Sequence, residues 1–330
     1  MIEVIETGPF NTVQDLGRPG YRKIGVTASG AMDPLGLKLG NLLVGNAPGA
    51  AAIEVQTFPF RLRFTGAVVF TVAGADCGAG LDGHPLLALC TYVADKGQVL
   101  DLGQPRTGAR AYVCVAGGVD VEPVMGSRST SLRGAFGGND GRYLRVGDTL
   151  SLCAATDGHR ARAGISVVDP AFALSDHLPV SDDGSLLIRA LPAGEHDLFG
   201  NDADRFWTET WKISSKSDRT GYRLSGEPIR PTTPVEMRSH GVVPGVVQVP
   251  PGGEPIVQMS DANTAGGYPK IAGVIDADLW RLGQARIGSR LRFVRATHRE
   301  ALDVERAMAR FLEDVRVTSA MVTRALNIMA

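Results

Sequence analysis

The chain's 330 residues suffice for about two domains of ordinary size. With 34 basic and 35 acidic residues and a net charge of −1, it lacks the concentrated basic surface that nucleic acid or an anionic membrane needs in a partner. Hydrophobic residues make up 44%, enough for two cores, yet nowhere is there the run of about 20 apolar residues that spans a bilayer.

The opening Met1-Ile2-Glu3-Val4 has neither a basic start nor an apolar leader core, so the expected location is the cytoplasm. The next stretch, Thr12–Tyr21, sets Gln14, Asp15, Arg18 and Tyr21 among glycines, which let a backbone approach a ligand. The same residues would also make a solvated turn with Asp15 and Arg18 paired locally.

Ser29-Gly30-Ala31-Met32-Asp33-Pro34 then leads into a helix. Asp33 is the N-cap and Pro34 takes the first helical position; Leu35, Leu39, Leu42 and Leu43 recur at helical spacing, and Gly45 closes the turn. Backbone N–H groups at such a start favour an anion. Asp33 opposes this unless Arg18 or Arg22 compensates.

Beyond this helix, short apolar runs alternate with turn signals about every ten residues, the pattern of a sandwich or barrel. The expected strands are Arg61–Phe64, Ala67–Val72, Gln98–Leu102, Ala111–Val115, Leu186–Ala190, Val246–Val249, Ile256–Met259 and Leu291–Val294. Cys77, Cys90, Cys114 and Cys153 have no metal-type spacing and read as small buried hydrophobes; with no H-x-x-x-H pair either, no metal site is expected.

Arg145-Val146-Gly147-Asp148-Thr149-Leu150-Ser151-Leu152 is echoed by Arg286-Ile287-Gly288-Ser289-Arg290-Leu291-Arg292-Phe293, 141 residues later. Both read as a tight glycine turn feeding a strand, which suggests duplicated β domains. The polar stretch Ala154–Gly164 is the candidate linker. Asn201–Trp211 is a second expected helix, with Phe206, Trp207 and Trp211 as core anchors.

Ser217–Arg223 is dense in charge. Asp218 would accept a proton or orient a ligand, and Arg219 and Arg223 offer forked donors; a surface ion-pair cluster is the alternative. The stretch from Gln248 to Lys270 carries the most chemistry. A turn at Pro250–Gly253 sends the chain back as a strand that delivers Asp261. Thr264, Gly266, Gly267, Tyr268 and Lys270 follow. A carboxylate, backbone donors and a lysine whose charge its surroundings can tune would polarise an amide or a carboxylated group. A long hairpin loop with Asp261 bonded to its own backbone is the plain alternative. There is no P-loop, no G-x-G-x-x-G after a strand and no G-x-S-x-G elbow. The tail begins with the capping box Thr297–Glu300, and Ala301, Val304, Met308, Phe311 and Leu312 form one apolar stripe of a helix.

Five stretches in register resemble the biotin-dependent carboxyltransferase family, also called allophanate hydrolase subunit 2 or KipA-like. They are TVQDLGRPGY (12–21), SGAMDP with NLLVGN (29–46), MGSRST with FGGNDGRYLRVGD (125–148), SDRTGYRLSG (217–226) and GVVQVPPGGEPIVQMSDANTAGGYPKIAGVIDADL (245–279). The resemblance implies a mainly β fold of two cyclophilin-like β-barrels, residues 1–160 and 161–295, with strands free to exchange between them, a few short helices and a C-terminal helical tail at 296–330.

It also implies work in a complex. The family's best-defined members belong to ATP-dependent 5-oxoprolinase. There an A subunit is one partner, a KipI-like B subunit the other, and ATP, used by the complex, drives opening of the lactam of 5-oxo-L-proline. A related branch moves carboxyl groups from biotin, carried on another chain, to urea. A third branch binds a kinase inhibitor without catalysis. The resemblance casts Asp261, Lys270 and Asp218 as catalytic. Gln248, Arg219, Tyr222, Asp15, Arg18, Ser29, Met32, Asp33, Thr264, Gly266, Gly267 and Tyr268 would bind substrate. One departure is visible: where the family usually has Arg-Gln after the aspartate, this chain has Ala262-Asn263.

Overall fold

The computed structural model describes residues 1–155 and 163–328. The chain is mainly β and divides into two compact units. The first contains Met1–Arg18, Ser29–Ala173 and the tail from Ala309; the second contains Pro19–Ala28 and Leu174–Met308. The expected division at residue 160 and most of the linker Ala154–Gly164 lie outside the described residues. A ten-residue segment near the N-terminus belongs with the second unit, and the tail helix is divided between the two.

All eight expected strands are present, within a few residues of their expected bounds. In the first unit the strands form a seven-stranded and a five-stranded sheet. Both contribute to one apolar core: Ile2, Val4, Leu62, Phe64 and Leu100 come from the larger sheet, and Ile53, Phe70, Val72 and Val113 from the smaller. Helix α1, Pro34–Leu43, lies against the five-stranded sheet. Asp33 caps it, its Oδ1 accepting from Gly36 N at 2.8 Å. The approach is close because Gly40 faces the sheet. A Cβ there would stand 2.6 Å from Cys114 Sγ and 3.0 Å from Ala73 Cβ.

In the second unit seven strands close a barrel. Around it run Leu186–Pro192, Lys270–Val274, Val246–Gln248, Ile256–Gln258, Gly221–Ser225, Trp211–Ile213 and Arg290–Arg295. The last pairs in parallel with the first. Barrel closure leaves no free edge in this ladder. The interior is apolar, with Val247, Val257, Leu224, Leu291, Phe293 and Trp211 buried.

The repeated motif makes the same turn twice. Gly147 and Gly288 have φ of 91° and 87°. Asp148 N donates to Arg145 O at 3.1 Å and Ser289 N to Arg286 O at 3.0 Å. Each turn feeds a strand, Thr149–Leu152 in one unit and Arg290–Arg295 in the other.

The short helix α2 is Pro170–Ala173, and α3 is Asn201–Thr208. The expected second helix therefore stops early, and Trp211 begins a barrel strand instead. Helix α4, Asp276–Gly283, is only eight residues long and carries no extended apolar stripe in its sequence. It is tied to the barrel by Asp278, whose carboxylate accepts from Arg189 Nη2 at 2.6 Å and Nε at 3.0 Å. Helix α5, His298–Ile328, starts at the expected capping box: Glu300 N donates to Thr297 Oγ1 at 3.2 Å, and Thr297 N to Glu300 Oε2 at 2.6 Å. Among the described residues, no helix is long and apolar enough to cross a membrane.

Candidate functional site

The residues expected to form the site fall into two groups, one in each unit. In the first unit Asp15 is a structural hub. Its carboxylate accepts from Gly17 N at 2.7 Å, Ser127 Oγ at 2.6 Å, Arg128 N at 2.6 Å and Ser129 Oγ at 2.5 Å. Arg18 is buried, donates to the carbonyls of Val124 and Ser129, and lies over the Phe136 ring at 4.9 Å. These are the bonds of a folded loop, and they engage the groups that would otherwise meet a ligand.

Ser29 has φ of 55° and is buried, as are Met32 and Asp33. Behind them lies a chain of buried groups that no local sequence pattern marks. Asp33 N donates to Tyr112 Oη at 2.8 Å, Tyr112 Oη donates to Glu54 Oε2 at 2.7 Å, and Met32 N donates to the same carboxylate at 2.8 Å. Burial, then the charges of Glu54 and Asp33, hold the Tyr112 phenol protonated well above its ordinary range.

The second unit brings more of the expected residues together. Side chains alternate along a strand, so register tells which share a face. Tyr222 pairs with Val257 and lies within the barrel wall, 2% exposed. Gln248 pairs with Ile256 on one side and Lys270 on the other. Gln258, two residues beyond Ile256, is on the same face. Lys270, Gln248 and Gln258 therefore form a polar row on the outside of the barrel.

A two-stranded ribbon, His240–Gly241 paired with Ala265–Gly266, covers this row. Gly266 lets the ribbon lie close, since a Cβ there would stand 2.9 Å from Gln248 Nε2 and push the amide end of that side chain aside. The row is internally bonded. Gln258 Nε2 donates to Gln248 Oε1 at 3.1 Å, and Gln248 Nε2 donates to Tyr268 O at 3.2 Å. Lys270 Nζ donates to Glu195 Oε2 at 3.3 Å and meets His240 Nε2. His240 Nδ1 is 2.6 Å from Arg238 O, which fixes the proton on Nδ1 and leaves Nε2 as the acceptor facing the lysine.

Gln258 Oε1 is buried and has no partner among the described residues. Glu195, His240 and Gln258 thus join this polar row, and sequence reasoning missed them. Glu195 and His240 lie 75 and 30 residues from Lys270, and no local pattern marks them.

Asp261 and Arg219 stand at the end of the ladder between Gly221–Ser225 and Ile256–Gln258. Arg219 Nε donates to Asp261 Oδ2 at 2.9 Å, and Asp261 N donates to Arg219 O at 2.9 Å. Asp218 is elsewhere: it lies in its own turn, where its carboxylate accepts from Thr220 N at 2.7 Å and Gly221 N at 3.2 Å. Thr264 enters through its backbone, its carbonyl accepting from Val242 N at 3.1 Å. Gly267 and the half-exposed Tyr268 line a cleft of 620 Å³ beside the loop 230–237. Ala262 is fully buried. Among the described residues, no group of three or more His, Cys, Asp or Glu side chains is placed to hold a metal ion.

The family model for the carboxyltransferase domain, subdomain A and B, matches residues 24–295. The chain belongs to this family. Its relatives include two proteins named as the C subunit of 5-oxoprolinase. The one from Escherichia coli is 39% identical over 96% of this chain and 97% of its own length. The one from Haemophilus influenzae is 40% identical over 96% of this chain and 98% of its own. Among solved structures, the Kluyveromyces lactis urea carboxylase superimposes with a TM-score of 0.84 at 28% identity, covering 96% of this chain and 29% of that one. A structure called TTHA0988 gives a TM-score of 0.77 at 32% identity, covering 89% of this chain and 55% of that one. This carboxyltransferase domain thus spans nearly all of the two 5-oxoprolinase relatives but only part of the larger chains.

Proposed function

We propose that this chain is the C subunit of an ATP-dependent 5-oxoprolinase, and that the barrel face carrying Lys270, Gln248 and Gln258, with Asp261 beyond the end of the Gln258 strand, holds the lactam amide of 5-oxo-L-proline. The near full-length identity to two proteins of that name supports the first part. One observation carries the second. Gln258 Oε1 is a buried acceptor with no partner among the described residues, next to donors with capacity to spare. A buried orphan acceptor costs about 1–3 kcal/mol, so it calls for a donor. Lys270 has three N–H bonds and uses two; Gln248 Nε2 has two and uses one. One acceptor beside two donors is the complement of an N–H and C=O pair.

In this reading Gln258 accepts the amide N–H. Lys270 and Gln248 donate to the carbonyl oxygen and stabilise the charge that develops there as the ring opens. Glu195 and His240 hold the ammonium in place. Asp261, oriented by Arg219, is the carboxylate available to take or return a proton. The partners in this reading are an A subunit together with a KipI-like B subunit, and ATP is hydrolysed by the complex. Oxoproline-dependent ATP hydrolysis by the reconstituted complex is the test. The rate should vanish when this chain is left out, and a full rate without it would remove it from the reaction.

A second reading is carboxyl transfer from biotin, borne on another chain, to a small amide. It is favoured by 31% identity over 94% of this chain to the urea amidolyase of Lachancea kluyveri, of which this chain covers 18%. The same row of donors would face the carboxyl oxygens. Calorimetric titration of free biotin into the assembled complex decides it, since this reading needs binding.

A further inference from the structure

Arg22 is unlike the other sheltered cations of its unit. Arg189 and Arg281 share the carboxylate of Asp278, at 2.6 and 3.7 Å; Arg219 pairs with Asp261 at 2.9 Å and Lys270 with Glu195 at 3.3 Å. Arg22 has no carboxylate partner among the described residues. Its Nη2 donates to two backbone carbonyls, Val242 O and Asn263 O, the latter at 2.6 Å. Its Nη1 is buried and has no partner among the described residues. Burial lowers the pKa of the group below the ordinary arginine value, the mark of a desolvated cation that no anion compensates.

The two carbonyls place it. Val242 follows the His240–Gly241 strand of the ribbon, and its side chain stands 3.4 Å from where a Cβ on Gly266 would be. Asn263 lies two residues after Asp261. Arg22 is thereby fastened to both limbs of the ribbon that covers Gln248, with Nη2 used by the two carbonyls and the buried Nη1 left without a partner among the described residues. A desolvated guanidinium with the N–H groups of one nitrogen unused calls for an anionic acceptor, such as a carboxylate oxygen, once the ribbon shifts to admit it.

We propose that Arg22 binds the carboxylate of the small acid this site opens, while the polar row holds the amide of the same molecule. The identity of that acid rests on the reading above; the need for an anion at Nη1 does not. Arg22 is then a specificity residue. It selects a lactam that bears a carboxylate over one that does not.

The experiment compares 5-oxo-L-proline with its uncharged carboxamide on the assembled complex, with wild-type chain and with Arg22→Gln. Losing a charge-assisted bond should raise KM for the acid about 10- to 100-fold with little change in kcat, and leave KM for the carboxamide as it was. An equal loss for both compounds, or a fall in kcat at unchanged KM, would make Arg22 a structural clip and overturn the proposal. Should Arg22→Gln fail to assemble, Arg22→Lys keeps a cation but not the fork; it must show the same selective rise, and a wild-type KM for the acid would count against the idea. Should the wild-type complex turn over neither compound, the 5-oxoprolinase reading fails by itself. Calorimetry with the same pair then still tests Arg22. A preference for the acid that disappears in Arg22→Gln supports the carboxylate site, and no preference in the wild type overturns it.

Discussion

Arg219 and Asp261 hold each other twice, side chain to side chain at 2.9 Å and backbone to backbone at 2.9 Å. Both side chains are nearly closed to solvent, 5% and 12% exposed. Removing one partner of such a pair strands the other charge and typically costs about 3–5 kcal/mol. Arg219→Ala should therefore lower the unfolding free energy by roughly that amount in denaturant titration. Arg223→Ala, at an exposed position one strand residue past Tyr222, should stay within about 0.5 kcal/mol. Equal, small effects would show that the pair is not anchoring the strand ends.

Gly266 separates function from stability. Adding one methyl there meets the amide end of Gln248 at 2.9 and 3.2 Å. Gln248 cannot swing away without losing Tyr268 O and Gln258. Gly266→Ala is expected to cut oxoproline-dependent turnover by about tenfold or more, while thermal unfolding shifts by only a few degrees. Full activity would mean the Gln248 amide is not used.

Lys270 depends on groups distant in sequence. Glu195 Oε2 accepts from both its Nζ at 3.3 Å and its backbone N at 3.0 Å. Glu195→Gln keeps the shape but removes the charge. Turnover should fall about 10- to 100-fold with KM for the lactam little changed, because the lysine's donors are displaced where charge develops. A change confined to KM would assign Glu195 to binding instead.

Asp148 gives a pH signature. The Arg142 side chain, bonded to it at 2.8 Å, with Arg145 N and Asn139, holds its carboxyl below the ordinary value of 3.8. A folded-state value below the unfolded one stabilises the protein above the unfolded value, and this is lost as pH falls through the folded one. Asp148→Asn should cost about 1–3 kcal/mol near neutral pH. That penalty should shrink once the pH drops below 3.8, as read from paired denaturation curves. A penalty that persists in acid would place its origin in shape rather than charge.

What could be read directly from the sequence was local. The Asp33 cap, the Thr297–Glu300 box and the paired glycine turns at 147 and 288 each need only a few adjacent residues, and all are present. Residues 245–270 stand out in the sequence because a hairpin returns Asp261 and Lys270 to one region. Strand register decided the rest. It turned Tyr222 into the wall beside Val257, and it set Gln258 beside Gln248. Glu54 and Tyr112 lie 58 residues apart and meet only because their strands pair in one sheet. Asp15 and Arg18 stand among glycines as a loop open to a ligand, yet the 124–129 segment folds back to donate to both Asp15 oxygens and to accept from Arg18 Nε and Nη2. Polar density in a sequence does not say whether bonds point inward or toward a ligand.

The most direct measurement is the turnover of the fully assembled complex with Asp261→Asn in this chain. Lactam-dependent ATP consumption should drop at least about a hundredfold at a temperature well below the variant's own melting point, where the complex still forms because Asn keeps an acceptor for Arg219 Nε, since a positioned proton acceptor contributes on that scale. A rate equal to wild type, with assembly intact, would contradict a reactive role for this face of the barrel.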